Sequence, residues 1–177
     1  MQTKELIEKI ATYKAEGLDK PDKGFIEGQK KNNLKAVILH ERKKGNTHLY
    51  KIAPRLLTRF LIRICKHAKR FEAANTFDEI MKIITDVIRK EYPIWKGIGE
   101  LTTYDISVRI GAYKKKFPDK IYLHCGAKEG AWILLDRKRL GKFIIIKDLP
   151  ISLQESGWNE DQIETFLCYL NKVSKRK

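Results

Sequence analysis

Apolar residues recur at helical spacing near both ends of the chain. Leu6, Ile10 and Tyr13 share one face of residues 2–16, and Gly17 then ends the periodic segment. We therefore expect residues 1–30 to form an N-terminal helix followed by a loop or tether. Residues 159–177 predict a C-terminal helix with a basic tail. Asn159 is its N-cap, and its apolar face carries Ile163, Phe166, Leu167, Leu170 and Val173.

Two further helices are predicted in the middle of the chain. Pro54 suits the first turn of one, in which apolar residues alternate with arginines up to Arg70. The other begins after Thr76, which forms a capping-box pattern with Glu79. Its apolar stripe is Ile80, Ile83, Ile84, Val87 and Ile88. Pro93 ends this second helix.

The remaining segments have weaker periodicity. Residues 34–52 fit either two short strands or a helix and a turn, and residues 120–147 mix strand and helix patterns. We expect two or three short strands within these two ranges. The overall expectation is a mainly α-helical fold, with residues 1–177 forming a single domain.

The net charge narrows the choice of partner. The chain has 37 Lys and Arg residues against 22 acids, a formal net charge of +15. Residues 29–70 alone hold thirteen of these cations and a single acid, Glu41. Such an excess favours a polyanionic partner, and we expect nucleic acid. A basic protein that is merely well solvated is the alternative. No apolar run approaches membrane-spanning length, so no membrane partner is expected.

The cysteines and histidines predict neither a disulfide framework nor a metal site. Cys65, Cys125 and Cys168 are odd in number and far apart, which favours reduced thiols and a cytoplasmic location. The four histidines have no metal-ligand spacing, and no cofactor is expected. His124 and Cys125 are adjacent and both have side chains used in catalysis. Side chains of adjacent residues diverge on a strand or a helix, so we favour a packed structural segment over a catalytic pair.

Gly97 and Gly99 are spaced two residues apart between two helical segments. Glycine adopts the positive φ that a tight turn needs and lets the backbone approach a ligand closely. The helix that follows presents unpaired N–H groups and the positive end of its dipole. Together these features form an anion site suited to phosphate. Thr102 and Thr103 lie in the first turn, where either hydroxyl could bond a backbone group or a phosphate oxygen.

At these residues the chain resembles the helix-hairpin-helix motif of DNA-binding proteins. The match runs over about residues 77–117, with a hairpin of sequence Trp95-Lys96-Gly97-Ile98-Gly99-Glu100-Leu101-Thr102-Thr103. Lys96 replaces the usual proline, and Thr103 replaces the usual alanine. The resemblance implies sequence-independent DNA binding through hairpin amides. It also implies a monovalent cation held by the backbones of Trp95, Gly97 and Gly99. The alternative is a structural helix-turn-helix corner.

Other cations extend the predicted binding surface. Arg109, four residues after Asp105, is either a partner in a surface ion pair or a phosphate clamp. Lys114, Lys115 and Lys116 follow the same helix. The predicted nucleic-acid-binding residues are Lys96, Gly97, Ile98, Gly99, Thr102, Thr103, Arg109, Lys114, Lys115 and Lys116.

The sequence leaves two other functions open: a DNA-processing enzyme such as a monofunctional glycosylase-like protein, and a protein-interaction or structural module. Helix-hairpin-helix DNA glycosylases, which the chain resembles over about residues 77–119, carry an Asp some twenty residues past the hairpin, where Asp119 stands here. Leu101 occupies the position of the lysine of their bifunctional members, so a lyase is not expected. Tyr104, Asp105 and Arg109 are a second catalytic candidate set. The last alternative is a protein-interaction or structural module with no nucleic-acid role.

Overall fold

The computed structural model describes residues 3–20, 30, 33–40, 49, 52–137 and 140–175, with only the backbone of His40 included. The expectation of a mainly α-helical fold with little strand is confirmed. The helices are α1 (Thr3–Ala15), α2 (Leu34–His40), α3 (Pro54–Cys65), α4 (Ala68–Ala73), α5 (Phe77–Lys90), α6 (Glu100–Lys114), α7 (Cys125–Leu134), α8 (Ile151–Gln154) and α9 (Glu160–Ser174). Strands β1 (Ile121–Tyr122) and β2 (Phe143–Ile144) pair antiparallel.

The chain forms two compact units. The terminal unit combines residues 1–20 with residues 119–177, and the central unit is residues 21–118. Each unit has its own cluster of buried apolar side chains. The central unit contains both the glycine pair and the basic helix α3.

The core of the central unit is built from α3, α5 and α6. Phe60, Ile64, Ile80, Ile84 and Ile110 are fully buried in it. The predicted stripe of α5 faces this core, although Ile88 is only partly buried. Removing these apolar faces from water supplies the main driving force for packing the three helices together.

The N-terminus of α5 is capped as its sequence predicts, with one difference. The Glu79 amide donates to Thr76 Oγ1 over 3.1 Å. The Glu79 carboxylate, however, accepts from the amide of Asn75 over 2.6 Å and not from that of Thr76. The cap therefore satisfies a backbone donor one residue further back than a standard capping box does.

Of the two alternatives for residues 34–52, the described part agrees with the helix, because residues 34–40 form helix α2. Asn33 Oδ1 accepts from the amide of Ala36 over 2.8 Å, which caps the first turn. Leu34, Val37 and Ile38 are buried at helical spacing. A segment of seven residues covers too few turns for this spacing to decide between helix and strand in the sequence. The remaining residues of the first predicted strand range, 41–52, lie outside the described residues except for residues 49 and 52. Both observed strands fall in the second predicted range.

The terminal unit packs α7 against α9 at unusually short range. A Cβ atom on Gly130 would lie 2.0 Å from the carbonyl oxygen of Leu167, and one on Gly126 would lie 3.3 Å from Cys168 Sγ. These glycines, four residues apart, let the two helix backbones approach. Tyr13 of α1 joins this unit by edge-on contact with Trp158 and Phe166, at centroid distances of 5.4 and 5.3 Å.

The Gly130 contact gives a test of this packing. We expect Gly130→Ala to lower the free energy of unfolding by about 2 kcal/mol or more, because helix α7 must move away from the Leu167 backbone. Urea denaturation would measure the loss. Gly141→Ala is the control, since its Cβ would meet only the Phe143 carbonyl oxygen at 3.8 Å. Equal stability of the two variants would contradict the close approach.

Candidate nucleic-acid interface

The segment between α5 and α6 turns its apolar side chains inward and its glycines outward. Trp95 and Ile98 are 4% and 5% exposed and belong to the core of the central unit. Lys96, Gly97 and Gly99 are exposed. Successive turn hydrogen bonds hold the backbone, with the Lys96 amide donating to Pro93 and the Ile98 amide donating to Trp95. The bend therefore faces solvent and is anchored from beneath.

The two glycines have different roles. Gly97 has a φ of +100°, a conformation that side chains other than glycine rarely adopt. Gly99 has φ −109° and ψ −171°, which any residue can adopt, and it is the N-cap of α6. A Cβ atom on Gly99 would meet nothing within 4 Å. Gly97 is thus required by the turn, and Gly99 keeps the N-terminus of α6 open to solvent with no side-chain cap.

Glu91 links this bend to helix α3. The carboxylate accepts from Arg63 Nε over 2.6 Å and also from Arg63 Nη2. Its second oxygen accepts from Trp95 Nε1 over 3.0 Å. The Trp95 ring then stands edge-on to Phe60 of α3, with centroids 5.1 Å apart. The Glu91 carboxylate therefore holds Arg63 of α3 next to Trp95 of the bend.

Two titratable side chains next to α3 have shifted pKa values. The hydrogen bond from Arg63 lowers the pKa of Glu91, and the bond from Trp95 lowers it further. Burial lowers the pKa of His67, and the neighbouring Arg63 and Arg70 lower it as well. Arg63 contributes to both shifts, as the main cause for Glu91 and as a secondary cause, after burial, for His67.

A shallow cavity of about 220 Å³ lies between α3 and the bend; we call it the basic notch. It is lined by Arg59, Ile62, Arg63, Lys66 and Trp95. Within the part of the chain that the structure describes, Arg59 and Lys66 form no ion pair, and both are exposed. The i, i+4, i+7 spacing of the three cations places them on one face of the helix. The notch can accept an anionic group.

The predicted binding residues do not all reach this surface. Lys96 is exposed beside the notch, whereas Ile98 contributes its side chain to the core. Thr102 and Thr103 are buried, and Thr103 Oγ1 donates to the Gly99 carbonyl over 3.1 Å. Arg109 is only 9% exposed. Thr102, Thr103 and Arg109 are therefore buried side chains, which disfavours Arg109 as a phosphate clamp at the surface.

The three lysines at the end of α6 lie away from the bend. Helix α6 has 15 residues, so Lys114 is about 20 Å from Gly99 along the axis. Lys114 Nζ donates to the Glu72 carbonyl over 2.6 Å, and Lys115 is the left-handed C-cap. Lys114, Lys115 and Lys116 thus belong to a different part of the central unit from the notch.

The predicted backbone cation site is incomplete. The Gly99 carbonyl already accepts two hydrogen bonds, from the amide and from the hydroxyl of Thr103, over 3.0 and 3.1 Å. These use both oxygen lone pairs, so Gly99 has none left for a cation. The Trp95 carbonyl also accepts from Ile98. No cluster of three or more His, Cys, Asp or Glu side chains suited to a metal occurs among the described residues.

The candidate catalytic residues are dispersed. Asp119 is exposed in a bend and belongs to the terminal unit. Tyr104 is buried edge-on to Phe77, with centroids 5.9 Å apart. His124 is buried as the N-cap of α7, while Cys125 is exposed, so these neighbours diverge as expected. All three cysteines are free thiols, and burial raises the pKa of Cys168.

The sequence interpretation missed the residues that complete the surface. The sequence pattern placed Arg59, Arg63 and Lys66 opposite the apolar face of their helix but did not single them out as binding residues. Glu91 had no visible role, because Arg63, 28 residues before it in the chain, is brought to it by tertiary packing.

Comparison with known proteins identifies no relative: no protein-family model, no curated protein and no solved structure matches this chain. In the described ranges, no helix combines the length and the apolar character needed to cross a membrane.

The Glu91 link predicts a pH-dependent contribution to stability. Because the folded pKa of Glu91 lies below its ordinary value of 4.5, the contribution is complete above that value and is lost as the pH falls through the folded pKa. We expect Glu91→Gln to be less stable than wild type near neutral pH, with a difference that shrinks on acidification. Urea midpoints between about pH 6 and about pH 3 would measure it.

Glu72→Gln is the control, because Glu72 is exposed in the same unit. We expect it to track the wild type at every pH. A Glu91→Gln difference that stays constant as the pH falls would show that the carboxylate charge does not stabilise the link.

Proposed function

We propose that the central unit binds DNA without reading its sequence, through the amides at the start of α6 and the cations of the basic notch. One observation carries the proposal: the uncapped N-terminus of a 15-residue helix is open to solvent beside exposed cations. The helix dipole and unpaired amides favour a phosphate there. Lys96, Arg59 and Lys66 supply further phosphate contacts that carry no base specificity.

The positions of these groups support a shared surface. A Cβ atom on Gly97 would lie 3.6 Å from Leu56 Cδ2, so the bend approaches the first half of α3. Trp95 lines the notch, and Lys96 follows it directly. Glu91 holds Arg63 against Trp95, which keeps the relative position of α3 and the bend fixed. A preformed surface loses less conformational freedom on binding.

The helix-hairpin-helix resemblance agrees with this proposal, but Thr102, Thr103 and Arg109 have no part in it. The proposed contacts are Lys96, Gly97, Gly99, Arg59 and Lys66. The buried set of Tyr104 and Arg109 offers no surface for substrate, so a DNA-processing activity gains no support from it. A cytoplasmic location stays a prediction.

A charge placed at Gly99 tests the amide site. We expect Gly99→Asp to weaken DNA binding about tenfold or more, because its carboxylate caps the amides and repels phosphate. Gly99→Asn caps the same amides without a charge, and we expect it to bind more tightly than Gly99→Asp. Fluorescence anisotropy with a labelled duplex would measure both.

Both variants should keep the fold, since a side chain on Gly99 has open space and both residue types are good N-caps. Asn75→Asp adds the same charge at the exposed residue before the cap of α5, and we expect a smaller effect there. If Asp and Asn at position 99 bind DNA equally well, the amides of α6 are not a phosphate site.

The salt dependence of binding tests the notch. We expect Arg59→Ala with Lys66→Ala to reduce the slope of log K against log salt concentration by about 1.8, which corresponds to two phosphate contacts on duplex DNA. Lys147→Ala with Lys172→Ala removes two exposed lysines of the terminal unit, and we expect no change in slope. An unchanged slope for the notch variant would exclude its cations from the contact.

A further inference from the structure

Large apolar side chains are exposed in the notch and in the chain segment just before Trp95, which lines it. Tyr92 and Ile94, on either side of Pro93, are 64% and 55% exposed. Ile62, which lines the basic notch, is 50% exposed. Tyr92 follows Glu91 directly, so the two Cα atoms are about 3.8 Å apart. Glu91 is the residue that accepts hydrogen bonds from Arg63 and Trp95. The surface therefore combines cations with apolar groups that do not serve the core.

A surface for duplex phosphates alone has no use for exposed apolar groups. In a duplex the faces of the bases are stacked and hidden from a side chain that approaches the backbone. A single strand exposes those faces, and proteins bind it by combining cations for phosphate with aromatic rings for bases. Tyr92 and Ile62 offer apolar contacts for bases, and the notch cations offer contacts for phosphate, as single-strand binding requires.

The size of the notch agrees with a small occupant. At about 220 Å³ it is smaller than the 300–1,000 Å³ typical of pockets for drug-sized ligands. The notch is therefore a surface contact for one group of a longer ligand, not an enclosing pocket. Arg59 and Lys66 are exposed at its edge, where they can reach the flanking phosphates.

The loop that carries Tyr92 is held in place. The Ile94 amide donates to the Glu91 carbonyl over 2.8 Å, so Tyr92 and Pro93 occupy a closed turn. The Glu91 side chain ties the same turn to α3. An aromatic ring on a fixed turn loses little freedom when a base stacks on it.

We propose that this surface selects DNA with unpaired bases, such as a single strand or a gap, over fully paired duplex. The proposal rests on the function proposed above and specifies its substrate. Phosphate oxygens contact Arg59 and Lys66, and an unpaired base packs against Tyr92 and Ile62.

Binding by Tyr92 variants tests this selectivity. The probes are a labelled oligothymidine, a duplex of equal length and the same duplex with a gap, compared by anisotropy at one salt concentration. We expect wild type to prefer the single strand and the gap over the duplex. We expect Tyr92→Ala to weaken binding to both about tenfold, with little effect on the duplex. Tyr92→Phe keeps the ring and should bind like wild type.

Two further variants separate stacking from general effects. Ile62→Ser should show the same selective loss, and it changes a different, half-exposed position on α3. Phe117→Ala removes a comparably exposed ring, 54% exposed, beyond the end of α6, and we expect no change. Thermal melting of each variant checks that the fold is retained.

The possible outcomes distinguish the two proposals. If Tyr92→Ala weakens single-strand and duplex binding equally, or weakens neither, the selectivity for unpaired bases is overturned. A remaining difference between Gly99→Asp and Gly99→Asn would then still support phosphate binding. If none of the three probes binds to the wild-type protein, both proposals are wrong.

Discussion

The arrangement of the candidate surface depends on the hydrogen bonds made by one carboxylate. Glu91 accepts from Arg63 on α3 and from Trp95 in the bend, and these two side chains would otherwise belong to separate elements. A partly exposed ion pair contributes little free energy by itself. Here its main effect is geometric, because two donors converge on a single group. The bend, its glycines and the basic face of α3 are consequently held as one surface.

The cations of α3 carry an energetic cost in the unliganded protein. Arg59, Arg63 and Lys66 follow one another on a single helical face, and like charges at these spacings repel. Glu91 compensates only Arg63. A bound phosphate would relieve the repulsion between the others, so the same feature that weakens the helix favours an anionic partner. Residues retained at a cost to stability are typical of binding sites.

The sequence predicted those parts of the fold that depend on neighbouring residues. Helices α5 and α9 begin where Thr76 and Asn159 predict, because caps and apolar stripes are local features. The glycine bend between two helices was also predicted, since Gly97 and Gly99 interrupt two helical patterns, but its exposure to solvent was not. Helix α2 was only one of two alternatives for its segment, because seven residues contain too few turns to define a period.

The composition of the candidate site was less predictable than its location. Thr102, Thr103 and Arg109 are polar, and their residue types gave no indication that they are buried. The pairing of Trp95 with Phe60 joins elements far apart in sequence, so the neighbourhood of Arg59 and Lys66 could not be inferred from spacing. Which face of a helix meets a distant loop is decided by tertiary packing, on which local patterns carry little information.

The interleaved course of the chain has a consequence during translation. Residues 21–118 are contiguous, so the central unit can build its core as soon as they leave the ribosome. Tyr13 of α1 precedes the central unit, whereas its ring partners Trp158 and Phe166 follow it. The apolar face of α1 can therefore meet these partners only after residues 21–118 have been synthesised.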